Sequence, residues 1–148
     1  FYTSSSRNMQ KHFRNFAHWL KVKYLESSSK LVEVGSNDGT LLEGFKKLNF
    51  QVLGVEPTNI SKIANKKGIK TLQMFFEKGA INHIKANYKK ADVISGTNIF
   101  AHVNKLDTFV KGVRSLINPK TGIFITESHY AVNIVDQMQF DFSNNAPH

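Results

Sequence analysis

The chain has 148 residues, 41% of them hydrophobic, no cysteine, and 20 Lys+Arg against 11 Asp+Glu, for a formal net charge of +9. That length suits one domain with a sizeable core. The missing cysteine excludes disulfides, thiolate zinc sites and a cysteine nucleophile, and no window approaches the ~18 apolar residues of a membrane span. No basic-then-apolar leader opens the sequence, which reads as cytoplasmic, and it starts at Phe1 rather than Met, as a piece of a longer chain does. Seventeen of the basic residues are lysines spread along the chain, and only Arg7, Arg14 and Arg114 could make the forked contacts that nucleic-acid readers favour. The expected partner is a small anionic molecule drawn to a lysine-rich surface, not nucleic acid or a membrane.

In chain order, residues 7–26 read as an amphipathic helix with Phe13, Phe16, Ala17, Leu20 and Tyr24 on one face and Ser5 or Ser6 as its cap. Leu31 to Val34 is a strand, Thr40 to Leu48 a helix and Gln51 to Val55 a second strand. A helix capped by Thr58 or Asn59 stops at Gly68. Ile69 to Gln73 is a weaker strand, Glu77 to Tyr88 a helix, and Asp92 to Ser95 a fourth strand. Leu106 to Ile117 is a helix and Ile123 to Thr126 a fifth strand. Residues 142–148 carry no periodicity and read as a loose tail. Strands alternating with helices of this length predict an α/β domain with a mostly parallel, doubly wound sheet. Such a sheet binds its ligand beyond the carboxyl ends of its strands, where strand order reverses.

Three motifs sit at those ends. The first strand runs into Glu33-Val34-Gly35-Ser36-Asn37-Asp38-Gly39. An ordinary strand-to-helix turn would explain it, and a dinucleotide fingerprint would need G-x-G-x-x-G. An acid followed by G-x-G-x-G, the S-adenosylmethionine (SAM) pattern, fits Glu33, Gly35 and Gly39, with Asn37 in the place of the middle glycine. The second strand ends at Glu56-Pro57, 17 positions after Gly39 and near the ~20 expected for an acid that accepts from ribose hydroxyls. The fourth strand leads to Asn98 and His102, and a histidine there can move protons near neutral pH.

With these residues the sequence resembles the SAM-dependent C-methyltransferases that act on nucleotide-linked keto-sugars. The likeness rests on residues 32–42, Leu53 to Pro57, Asn98 to Val103 and Glu127-Ser128-His129-Tyr130, and covers residues 1–141. It implies a Rossmann-like SAM-binding domain, truncated after the fifth strand, from a family that adds a cysteine-rich zinc module before it and a second α/β domain after it. That family follows its Phe-Asp pair, here Phe140-Asp141, with Tyr-His-Glu-His; this chain has Phe142-Ser143-Asn144-Asn145 instead.

Methylating a carbon next to a ketone needs a general base and stabilisation of an enolate. The resemblance assigns these tasks to His102 and Tyr2. It assigns the cofactor to Glu33 (methionine amino group), to Gly35, Ser36, Asn37 and Gly39 (backbone wall) and to Glu56 with Pro57 (ribose). Phe75 or Phe76 would pack on adenine, with Asn98 and Ile99 along the remaining wall. No metal site is assigned. The alternatives are a SAM-binding fragment that needs further domains for turnover and a NAD-type Rossmann domain, which Glu33 and the missing third glycine disfavour. Missing edge strands would expose a sheet edge and favour a homodimer.

Overall fold

The computed structural model describes residues 2–25, 28–97, 99, 103 and 105–127. A single turn of 3-10 helix, Thr3–Ser5, precedes α1 (Arg7–Tyr24). The remaining elements are β1 (Lys30–Val34), α2 (Thr40–Lys47), β2 (Gln51–Val55), α3 (Ser61–Lys66), β3 (Thr71–Leu72), α4 (Lys78–Tyr88), β4 (Val93–Thr97), α5 (Leu106–Leu116) and β5 (Ile123–Glu127). The strands form one sheet in the order β3-β2-β1-β4-β5, and every pairing is parallel. Order reverses between β1 and β4, which places the ligand crevice of this architecture beyond their carboxyl ends. The doubly wound α/β fold expected from the alternation of elements is therefore the one observed.

Each element follows from its side chains. Ser6 caps α1 by accepting from the Met9 amide at 3.3 Å, and Phe13, Ala17 and Leu20 place one stripe of that helix in the core. Strands β1 and β2 are buried on both faces, as strands covered on both sides must be, and apolar apart from Lys30, Glu33, Gln51 and Gly54. One layer packs α1 and α2 on the sheet through Phe13, Leu20, Leu42 and Phe45. The other packs α4 and α5 through Ile81, Ile84, Phe109 and Leu116. Each fully buried Leu or Phe contributes about 1.5–3 kcal/mol.

Two of the boundaries that differ from the sequence expectation do so for identifiable reasons. Strand β4 extends to Thr97 instead of stopping at Ser95, because β5 continues the ladder through Gly96↔Thr126 and Thr97↔Glu127. Gly96 belongs inside that strand: a Cβ there would meet Ile99 Cδ1 at 2.3 Å. Helix α3 begins at Ser61, after Ile60, whose side chain has nothing to accept with. Thr58 binds the Ile60 amide through its hydroxyl at 3.3 Å, but its amide and hydroxyl turn back to Glu56. The proposed tail, residues 142–148, and the domain limit at 141 lie outside the described residues.

Candidate functional site

The turn after β1 is held by the end of β2. Gly35 and Ser36 donate backbone N–H groups to Val55 O at 2.8 and 3.2 Å, and Gly39 donates to Ser36 O at 3.0 Å. Gly35, Asn37 and Gly39 all take positive φ, at 71°, 49° and 78°. Asparagine is among the few non-glycine residues that occupy this region at modest cost, so Asn37 can stand where the pattern has glycine. Its side chain also earns a role, since Asn37 Oδ1 accepts from the Asp38 amide at 2.9 Å.

Glu56 knits the two strand ends together. Its Oε2 accepts from the Asn37 amide at 3.1 Å, and its Oε1 accepts from the Thr58 amide at 3.0 Å and the Thr58 hydroxyl at 2.7 Å. Pro57, half-buried, separates the two partners. Gly54, two residues earlier, allows the close approach: a Cβ would lie 2.4 Å from Ser36 Oγ and 2.7 Å from Thr71 Oγ1.

Glu33 stands apart. It is buried, and among the described residues its Oε2 has no hydrogen-bond partner. Burial pushes its carboxyl well above the ordinary glutamate range; a hydrogen bond with Thr97 opposes the rise, and the charges of Asp38 and Glu56 add to it. The hydroxyls of Ser36 and of Ser95, the register partner of Glu33 on β4, are likewise buried and without partners among the described residues. Buried polar atoms are nearly always satisfied. Three unsatisfied ones at the carboxyl ends of the strands are what a site built to hold a polar ligand leaves exposed to that ligand. A carboxylate with a free oxygen matches an ammonium, and Glu56 beside a glycine-lined turn matches a ribose. The residues present fit a nucleoside cofactor with an amino-acid tail.

The structure also reveals a clasp that sequence reasoning missed. Thr3 and Ser4 donate their amides to Asn37 Oδ1 at 3.2 Å and Asp38 Oδ2 at 3.0 Å. Asp38 is fully buried. Burial alone would raise its pKa, but hydrogen bonds from Ser4 and Thr40 and the Lys67 ammonium at 3.4 Å hold it below the ordinary aspartate range. The clasp fastens the chain's first turn over the glycine turn and sets Tyr2, 49% exposed, next to it.

The other named residues divide. Ile99 is buried in the α4–α5 layer, against Gly35, where a Cβ would meet its Cγ2 at 2.6 Å; it backs the turn from behind. Phe76 packs in the same layer, tilted on Phe109 with ring centroids 5.3 Å apart, whereas Phe75 is 70% exposed. Asn98 and His102 lie outside the described residues.

A parallel sheet with such a turn at its switch point defines a nucleotide-cofactor-binding α/β domain, and comparison with known proteins gives its family. Residues 6–145 match the family described as "Methyltransferase domain". The chain is 32% identical over 118 residues to the C-methyltransferase NovU of Streptomyces niveus, across 79% of this chain and 28% of that protein. A SAM-dependent methyltransferase from Archaeoglobus fulgidus superposes with TM-score 0.67 at 15% identity, covering 88% of this chain and 59% of that one. The plantazolicin methyltransferase BpumL, solved with a monoazolic desmethylPZN analog and SAH, gives 0.67 at 14%, covering 86% and 49%. The chain belongs to the methyltransferase-domain family, whose cofactor is S-adenosyl-L-methionine. It spans little more than a quarter of the length of NovU.

Proposed function

We propose that this domain serves the C-methylation of a nucleotide-linked keto-sugar. The observation that carries the reading is the buried oxygen of Glu33 at the switch point, unpartnered among the described residues and able to accept from, and ionise opposite, an ammonium. The NovU likeness favours carbon as the methyl acceptor, since that relative's name is C-methyltransferase, and the formal charge of +9 favours an anionic substrate.

In this reading Glu33 binds the methionine amino group, with Ser95 beside it. The amides and hydroxyl of the Gly35–Gly39 turn, including Ser36 and Asn37, form the wall. Glu56 holds the ribose hydroxyls, and exposed Phe75 covers the adenine, leaving Phe76 to the core. Ile99 supports the turn from the core side, and Asn98, outside the described residues, is the resemblance's candidate for the remaining wall. When bound, SAM supplies a methyl group on a cationic sulfur. The chain must bring the acceptor carbon into line with that methyl, shut out water and handle one proton. Two roles follow, proton acceptor and hydrogen-bond donor to the enolate; Tyr2 and His102 are the resemblance's candidates for them. Among the described residues β5 is an edge strand of the sheet, and an edge left open there would invite association with a second copy.

The test is an incubation with SAM and a nucleoside diphosphate 4-keto-6-deoxyhexose, read by mass spectrometry. A sugar product heavier by one methyl group, carried on carbon, supports the reading. SAM binding without methylation of this sugar overturns the acceptor class and keeps the cofactor site.

A further inference from the structure

The α1 side of the sheet carries a line of polar side chains across three strands. Glu33 on β1 bonds Thr97 on β4, and Thr97 is the register partner of Glu127 on β5. Glu127 Oε2 in turn lies 3.0 Å from His12 Nε2 on α1, although 115 positions separate the two in sequence. Strand alternation places these residues on one face: Leu31, Val93, Ile123 and Ile125, in phase with them, all belong to the α1-side layer. Two strand spacings, about 10 Å, separate β1 from β5. The His12–Glu127 pair therefore stands past Glu33, on the β5 side of the crevice.

The pair differs from Glu33 in being open, with 49% and 43% of its side-chain surfaces accessible. A carboxylate only accepts hydrogen bonds, so Nε2 of a neutral ring carries the hydrogen, and Nδ1 keeps its lone pair. Among the described residues Nδ1 has no hydrogen-bond partner. Lys11 and Arg14 are the charged neighbours of His12 along α1, and Glu127 is the charge that faces it from β5. A base held by a carboxylate, with its other nitrogen unpartnered among the described residues and near a ligand crevice, is the arrangement that proton abstraction uses.

We propose that His12, oriented by Glu127, takes the proton from the carbon acceptor; this rests on the carbon-acceptor reading above. The C–H bond next to the ketone breaks, the proton passes to Nδ1, and the electron pair stays on the acceptor as its enolate. Tyr2 and His102 are then left to hold the enolate oxygen. Glu127 acts through His12, as a positioning residue.

Two measurements test this. The first follows deuterium uptake from D2O into the carbon beside the ketone of a nucleoside diphosphate 4-keto-6-deoxyhexose, with S-adenosyl-L-homocysteine bound so that no methyl transfers. Wild type should exchange faster than the protein-free control. His12→Gln should lose about 100-fold or more of that rate, Glu127→Gln should fall too, and Glu127→Asp should recover part of it. Exchange undiminished in His12→Gln overturns the proposal and leaves a surface ion pair. The second uses the His12 ring NMR signal, identified by its loss in His12→Gln. The cationic sulfonium of SAM should displace it further than the neutral sulfur of S-adenosyl-L-homocysteine; equal displacement places the pair away from the transfer centre and overturns the proposal. A wild type that neither exchanges nor methylates this sugar refutes the acceptor class, and the NMR signal then judges the pair's position independently.

Discussion

Replacing Glu33 with glutamine isolates the ionisation of a carboxyl that the fold buries with one oxygen unpartnered among the described residues. The amide has almost the same volume and keeps an oxygen for Thr97, so the packing of β1 survives. What disappears is the counter-charge. A hydrogen bond to a charged group contributes about 1.5–3 kcal/mol, so SAM affinity should fall about 10- to 150-fold. Stability should move the other way as pH rises. Burial lifts the Glu33 pKa, with Asp38 and Glu56 adding to the lift and Thr97 opposing it. The folded chain therefore keeps a proton that the unfolded chain has already lost. Stability from this group is full below the ordinary glutamate range and is lost as pH rises through the folded-state value. Glu33→Gln removes that loss, so its melting temperature should drop less than that of wild type between about pH 5 and pH 8. Calorimetric titration and thermal melts read the two effects. A variant that binds SAM as tightly as wild type refutes the assignment of the amino group to Glu33, and parallel melting profiles refute the buried-acid argument.

Other substitutions separate the site from its supports. Gly54→Ala drives a methyl into Ser36 Oγ and Thr71 Oγ1; overpacking of this kind costs about 1–3 kcal/mol, and adding Ser36→Ala should restore part of the melting temperature. Asp38→Asn removes the charge that gathers Ser4, Thr40 and Lys67. Because the Asp38 pKa is lowered, its contribution is present above the ordinary aspartate range and lost as pH falls through the lowered value; the variant's acid unfolding should flatten there, and the Ser4 amide should exchange with solvent faster. Phe75→Ala should change stability by less than about 0.5 kcal/mol yet weaken SAM binding by about 2- to 10-fold through lost stacking. Phe76→Ala should do the reverse, lowering the melting temperature through its contact with Phe109; equal effects of the two on binding would contradict their division.

The elements near the site were legible because period and punctuation agreed. Leu31 to Val34 and Gln51 to Val55 are apolar runs that stop at turn residues, and both became central strands. The third strand shrank to Thr71–Leu72 because only the end of β2 pairs with it. The end of β4 was placed two residues short because Gly96 reads as a turn, and only the fold shows that Ile99 fills the space a side chain would need. Glu33, Gly35 and Glu56 were visible as a spacing pattern. Asp38 was not: its importance lies in the Ser4 amide, which comes from 34 positions earlier in the chain, and backbone donors leave no mark in sequence. The meeting of His12 with Glu127 was invisible for a related reason, since tertiary packing of α1 across the sheet joins the two ends of the described chain.

The most direct test of the SAM site at the β1–β4 switch point is a calorimetric titration of the purified chain with SAM, beside Glu56→Ala verified as folded by its thermal melt. Saturable binding that the variant loses is the predicted result, because Glu56 ties the glycine turn to the end of β2 and is the proposed acceptor from the ribose. No heat of binding from a folded wild type, or equal binding by the two proteins, would contradict it.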